Sequence, residues 1–151
     1  MRYAKLAFAL LGLAAVLIAA EPFAGTWKLN SAKTKYKTGT PPKEQTATIA
    51  EADSNLDVTI SGTAADDSAI MSHYTVPAQG GYGKIIQSPY EAVSGKRMGP
   101  NERAITYSKG GKAVLTAHSK ISADGKTITV NVKGTDAQDK PVDGVAVYDK
   151  Q

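Results

Sequence analysis

Phe23-Ala24-Gly25-Thr26-Trp27-Lys28-Leu29-Asn30 is the stretch on which the fold turns, and it holds the only Trp of the chain. Side chains of an extended strand alternate with period two, so Phe23, Gly25, Trp27 and Leu29 share one face. Gly25 has no side chain and leaves room there for a close backbone approach or a bulge. The stretch reads as the first strand of a closed antiparallel barrel, with Trp27 plugging one end.

What precedes it has a different composition. Arg2 and Lys5 stand ahead of residues 6–20, a run without a charged residue. A basic start followed by an apolar run of this length is the pattern of a signal peptide. At helical rise the run falls short of the ~30 Å hydrocarbon core, which disfavours an anchor and leaves no membrane span in the mature form. Cleavage after Ala20 is expected, with Ile18 at the third position before the cut. The domain organisation is then a signal peptide over residues 1–20 and one barrel domain over 21–151. The location is periplasmic or secreted. With no Cys, the chain folds without disulfides and carries no lipoprotein-type anchor.

The charge looks different once that segment is set aside. The whole chain has 18 basic and 14 acidic residues; without Arg2 and Lys5 the basic count is 16 and the net charge +2. The basic balance is therefore no argument for nucleic acid. Charge is segregated along the chain: residues 22–43 hold Lys28, Lys33, Lys35, Lys37 and Lys43 but no acid. Residues 44–69 hold Glu44, Glu51, Asp53, Asp57, Asp66 and Asp67 but no base. Two solvated faces and a basic rim for anionic ligands are both open readings.

The remainder alternates and breaks like a series of short strands. Asn30 is placed to cap a helical turn over 31–36, and 37–43, with Gly39 and Pro41-Pro42, reads as a loop. Strands are expected over 44–50, 56–61, 70–76, 82–87, 91–98, 102–109, 112–122, 126–134 and 143–150. Turns are expected at 51–55, 64–68, Gln79-Gly80-Gly81, Ser88-Pro89, Gly99-Pro100-Asn101, Gly110-Gly111 and Ala123-Asp124-Gly125. With Phe23–Asn30 this makes nine or ten strands and no long helix. The fold class is all-β, a single antiparallel up-and-down barrel of about 8–10 strands.

The run Phe23 to Leu29, with its Gly25-x-Trp27, resembles the opening of the calycin superfamily, both lipocalins and fatty-acid-binding proteins. Val132-Lys133-Gly134-Thr135 and Val145-Ala146-Val147-Tyr148-Asp149-Lys150 are similar to the last two strands of fatty-acid-binding proteins. The start, followed by Lys33-Thr34-Lys35-Tyr36, also resembles small exported bacterial proteins of unassigned function. The resemblance implies a lipocalin-like barrel with a lumen for a small lipophilic ligand. Fatty-acid-binding proteins close with Arg-x-Tyr; here the triplet is Ala146-Val147-Tyr148, so Tyr148 carries over and the Arg does not. The stretch 30–43 is also too short for that family's two-helix lid.

An eight-stranded barrel can be filled by its own side chains or hold one small ligand. After residue 20 the chain has one Phe, one Trp and three Leu, a light filling that leaves a cavity and a collapsed barrel both open. Five residues are candidates for ligand binding: Trp27 as the floor, and Arg97, Arg103, Tyr107 and Tyr148 as polar contacts. An Arg among apolar residues must pair or reach water, and its planar fork suits a carboxylate or phosphate. The alternatives are a structural role for one of the two, packed on Trp27, and plain surface exposure. His73 and His118 fall on polar strand faces without a metal-ligand pattern, and no nucleophile elbow, calcium loop or phosphate loop is present. No catalytic residue, metal or cofactor is assigned. The leading reading is an exported, non-enzymatic binding protein for an apolar or amphipathic small molecule. The alternative is an envelope protein-interaction or inhibitor-type barrel with a filled lumen and no ligand.

Overall fold

A computed structural model describes residues 20–151, so residues 1–19 of the expected signal peptide lie outside the described residues. The strands are β1 (Gly25–Leu29), β2 (Lys35–Thr38), β3 (Glu44–Ala52), β4 (Asn55–Thr63), β5 (Ala69–Pro77) and β6 (Gly80–Tyr82). They continue with β7 (Lys84–Gln87), β8 (Ala92–Gly99), β9 (Glu102–Lys109), β10 (Lys112–Ile121), β11 (Thr127–Thr135) and β12 (Pro141–Lys150). All lie in one antiparallel sheet of order β6-β8-β9-β10-β11-β12-β1-β3-β4-β5-β7, with β2 beside β12. No α-helix occurs among the described residues.

Two irregularities turn this sheet into a barrel. The first lies between β1 and β2, which both run along β12: Leu29 sits opposite Tyr148, and Tyr36 opposite Gly144. A turn between them replaces the expected helical stretch. Asn30 does cap it, since its Oδ1 accepts the Lys33 amide at 3.1 Å. The chain then returns to strand because Thr34 ties it to β12: its hydroxyl donates to Asn30 O at 2.9 Å and accepts the Val147 amide at 3.1 Å. Strand β2 therefore takes residues expected to form a helical turn and a loop. A Cβ on Gly144 would come within 2.2 Å of the Tyr36 ring, so only glycine lets β2 lie there.

The second irregularity is the seam. Strand β6 pairs with β8, whereas β7 pairs with β5. The segment 80–87 thus changes partner at Gly83, whose amide donates to Val93 O at 2.9 Å. A Cβ at Gly83 would lie 2.2 Å from Thr75 O and 2.6 Å from a Val76 methyl. This close approach draws the two ends of the sheet together. Gly80 and Gly81, expected in a turn, belong to β6.

Inward residues form two clusters. One joins Leu56, Val58, Tyr74, Val76, Ala78, Val93, Ile105 and Tyr107 across β4, β5, β8 and β9. The other joins Phe23, Trp27, Ile121 and Ile128 at one end. Alternation holds on β9, where Arg103, Ile105 and Tyr107 are buried, and each fully buried Leu or Val contributes about 1.5–3 kcal/mol.

Candidate functional site

The closed end is built around Trp27, which is fully buried. Its indole N–H donates to Phe23 O at 2.9 Å, so the residues just before β1 fold back beneath it. Lys150 places its ammonium 5.2 Å from the Trp27 ring centre. Arg103 packs over the Phe23 ring at 5.2 Å and donates from Nη1 to Ala78 O at 3.0 Å. Its counter-charge is Glu21, with Nη2 at 3.4 Å from Oε1; both side chains are almost entirely buried. Arg97 reaches the other Glu21 oxygen at 3.6 Å. Burial pulls the Arg103 pKa down, and Glu21 works against that pull. This plug of Phe23, Trp27, Glu21 and Arg103 shuts the barrel.

Above it the lumen is open. A cavity of about 750 Å³ runs from the plug to the far end, within the ~300–1,000 Å³ typical of small-molecule sites. Its wall is aliphatic, with Ile49, Leu56, Ile60, Ile105, Leu115 and Val130 among the lining residues. Among the polar groups facing it are five phenols. Tyr74 and Tyr107 share a hydroxyl hydrogen bond of 2.8 Å, with their rings edge to face. Tyr90 stacks at a tilt on Tyr107, with centroids 4.8 Å apart. Tyr148 donates its hydroxyl to Gln45 Oε1, and Tyr36 lines the wall beside them. Burial raises the pKa of all five, Tyr74 to about 12. These phenols are neutral donors and acceptors at any physiological pH.

The mouth is ringed by turns. Lys109 on β9 donates to Ala137 O at 2.9 Å and pairs with Asp139 at 3.3 Å, holding the loop between β11 and β12. Gln138 on that loop reaches Ser68 Oγ on the β4–β5 turn at 3.4 Å. Lys43 pairs with Asp67 on the same turn, which joins one lysine of the basic stretch to one acid of the acidic stretch.

Four of the five sequence candidates, Trp27, Arg103, Tyr107 and Tyr148, line the cavity. Arg97 does not. It shares the parity of Val93, but it sits near the closed end of β8, where Glu21 holds it beside a shallow surface recess formed with Gln79, Met98 and Pro100. Arg103 borders the lumen with its charge already matched, as in the structural alternative, although the ring it covers is Phe23 rather than Trp27. Glu21 was missed: nothing in the sequence marks a lone acid just after an apolar run as buried. Tyr74, Tyr90 and Tyr36 were visible only as tyrosines on strands, because which phenols meet depends on pairing across the barrel. His73 and His118 pair with Asp57 and Glu102 on partly exposed positions. No group of three metal-ligating side chains forms among the described residues.

The molecule is thus an all-β barrel with a plugged base and a hollow interior. Several solved structures resemble it, two of them as follows. A redesigned beta barrel bound to DFHBI is 16% identical, matched over 87% of this chain and 98% of that one, with a TM-score of 0.45. The zebrafish ileal bile acid-binding protein complexed with cholic acid is 14% identical, over 86% of this chain and 99% of that one, with a TM-score of 0.48. No family model and no curated protein matches the sequence.

Proposed function

We propose that this chain is an exported, non-enzymatic binding protein that carries a small, mostly apolar molecule in its lumen. The observation that carries the reading is the cavity of about 750 Å³ walled by aliphatic side chains above a packed floor. A pocket of this size and lining, with a few convergent polar groups, is the usual form of a small-molecule site. Export is supported by the basic start and the charge-free run of residues 6–20. The interaction-module alternative required a filled lumen, and the cavity weighs against it. Native mass spectrometry on protein purified from an exporting host tests the proposal. A discrete added mass, lost on denaturation, is expected. A clean unliganded mass with no uptake from a panel of lipophiles would overturn it.

A further inference from the structure

We infer that the molecule held in the lumen is uncharged: an apolar chain or ring system bearing a hydroxyl, ester or ketone oxygen, and not a carboxylate. This rests on the luminal-binding reading and narrows it to a chemical class.

Three features argue for it. The first is the state of the Arg that borders the lumen. A carboxylate carrier needs a cation without a counter-charge inside the barrel, and Arg103 is the arginine in the wall. Its guanidinium is held by Glu21, with Ala78 O taking a further N–H. Glu51 adds to the negative field on it and Arg97 opposes. A carboxylate arriving there would meet a satisfied pair. Its Nε–H has no hydrogen-bond partner among the described residues, but it is buried and has almost no surface open to the lumen.

The second feature is the tyrosine belt. Within the Tyr74–Tyr107 pair one hydroxyl donates to the other, which leaves one O–H and several lone pairs for an incoming group. A ligand hydroxyl or carbonyl matches that set. An anion is disfavoured in the same surroundings, since the burial that keeps these phenols protonated acts on any negative charge placed among them. The pull of Arg103 on Tyr74 is a smaller effect than burial.

The third feature is the rim. Asp66 and Asp136 line the mouth beside Lys140. Asp136 and Asp139 push the Tyr90 pKa further up. Lys109, already paired with Asp139, stands 5.8 Å from the Tyr90 ring centre, so the rim brings charges of both signs that largely answer each other. The mouth therefore does not compensate for the missing cation inside.

The test is a series of compounds built on one twelve-carbon chain, competing with an environment-sensitive naphthylamine fluorophore bound to the wild-type chain. Dodecanol and methyl laurate are expected to displace the fluorophore at concentrations about tenfold or more below those of ionised laurate, because burying an unpaired carboxylate is costly. Dodecane, lacking the oxygen, should fall below dodecanol. Tyr107→Phe should weaken dodecanol about fivefold and leave dodecane unchanged, the expected cost of one neutral hydrogen bond. Laurate competing as well as dodecanol would overturn the inference while leaving luminal binding intact. Failure of the fluorophore and of every compound to bind would overturn both. If Tyr107→Phe does not fold, the wild-type series alone decides the question.

Discussion

Replacing Glu21 by Gln should destabilise the whole barrel, although the residue lies before the first strand. The carboxylate is buried against two guanidiniums, at 3.4 Å from Arg103 and 3.6 Å from Arg97. Removing one partner of a buried ion pair usually costs about 3–5 kcal/mol, because the surviving charge stays buried. Three features place this site at or below the lower end. The separations exceed the ~2.7–2.9 Å of tight charge-assisted bonds. Arg97 is 26% exposed and can turn to water. Arg103 keeps Ala78 O and the Phe23 ring. The expected loss is therefore about 2–3 kcal/mol, a fall of roughly 10 °C in the melting midpoint for a domain of this size. Trp27, fully buried and the only Trp, reports unfolding by fluorescence in urea. The midpoint should fall with an unchanged slope. A second variant carries the argument further: Glu21→Leu with Arg103→Met removes both buried charges and should recover at least half of the loss. A Glu21→Gln variant within about 0.5 kcal/mol of the parent, as for an ordinary surface change, would refute the reasoning. So would a pair of variants whose effects simply add.

Alkaline pH should unfold the protein through its phenols. Tyr74 has its pKa raised to about 12, against about 10 in an unfolded chain. Below pH 10 both states keep the proton and the stability is fully present; between about 10 and 12 only the unfolded state loses it, so stability falls as pH rises. Tyr74 alone accounts for about 3 kcal/mol over that window. Urea melts across the range, read beside tyrosinate absorbance, check this, and normal titration of every phenol in the folded protein would contradict it. At the seam, Gly83→Ala forces a methyl against Thr75 O at 2.2 Å and should cost about 1–3 kcal/mol or more. Gly99→Ala, whose nearest neighbour is Glu102 Cβ at 3.9 Å, should stay within about 0.5 kcal/mol of the parent in the same urea assay.

The barrel was legible because it rests on local signals. Alternation on β9 and β11, the Gly110-Gly111 turn and the place of Trp27 each act over a few residues, and the elements formed where they were expected. Strand β2 was not legible: a capping Asn and a run without apolar alternation favour a turn locally, while docking on Gly144 and the Thr34 bridge are contacts over a hundred residues away. The site was partly legible for the same reason. Alternation puts Arg103 and Tyr107 on one face, but only the pairing of the sheet brings Tyr107 to Tyr74, and only the fold of the floor brings Glu21 to Arg103. Arg97 shows the limit of parity: it gives a side of the wall, not a height along it.

The hollow interior has an energetic consequence. A lumen of about 750 Å³ that opens at a mouth fills with water or with a ligand. Water needs two to four polar partners each, and the wall offers them near the tyrosines, Gln45, Ser72, Ser119 and the rim, while Ile49, Leu56, Val58, Ile60 and Val130 offer none. Water along that aliphatic stretch is poorly held, and an apolar molecule that displaces it gains free energy. The small inward residues that keep the lumen open, Ala47, Ser72 and Ala117 among them, thus leave the barrel with a place that an apolar ligand fills better than solvent does.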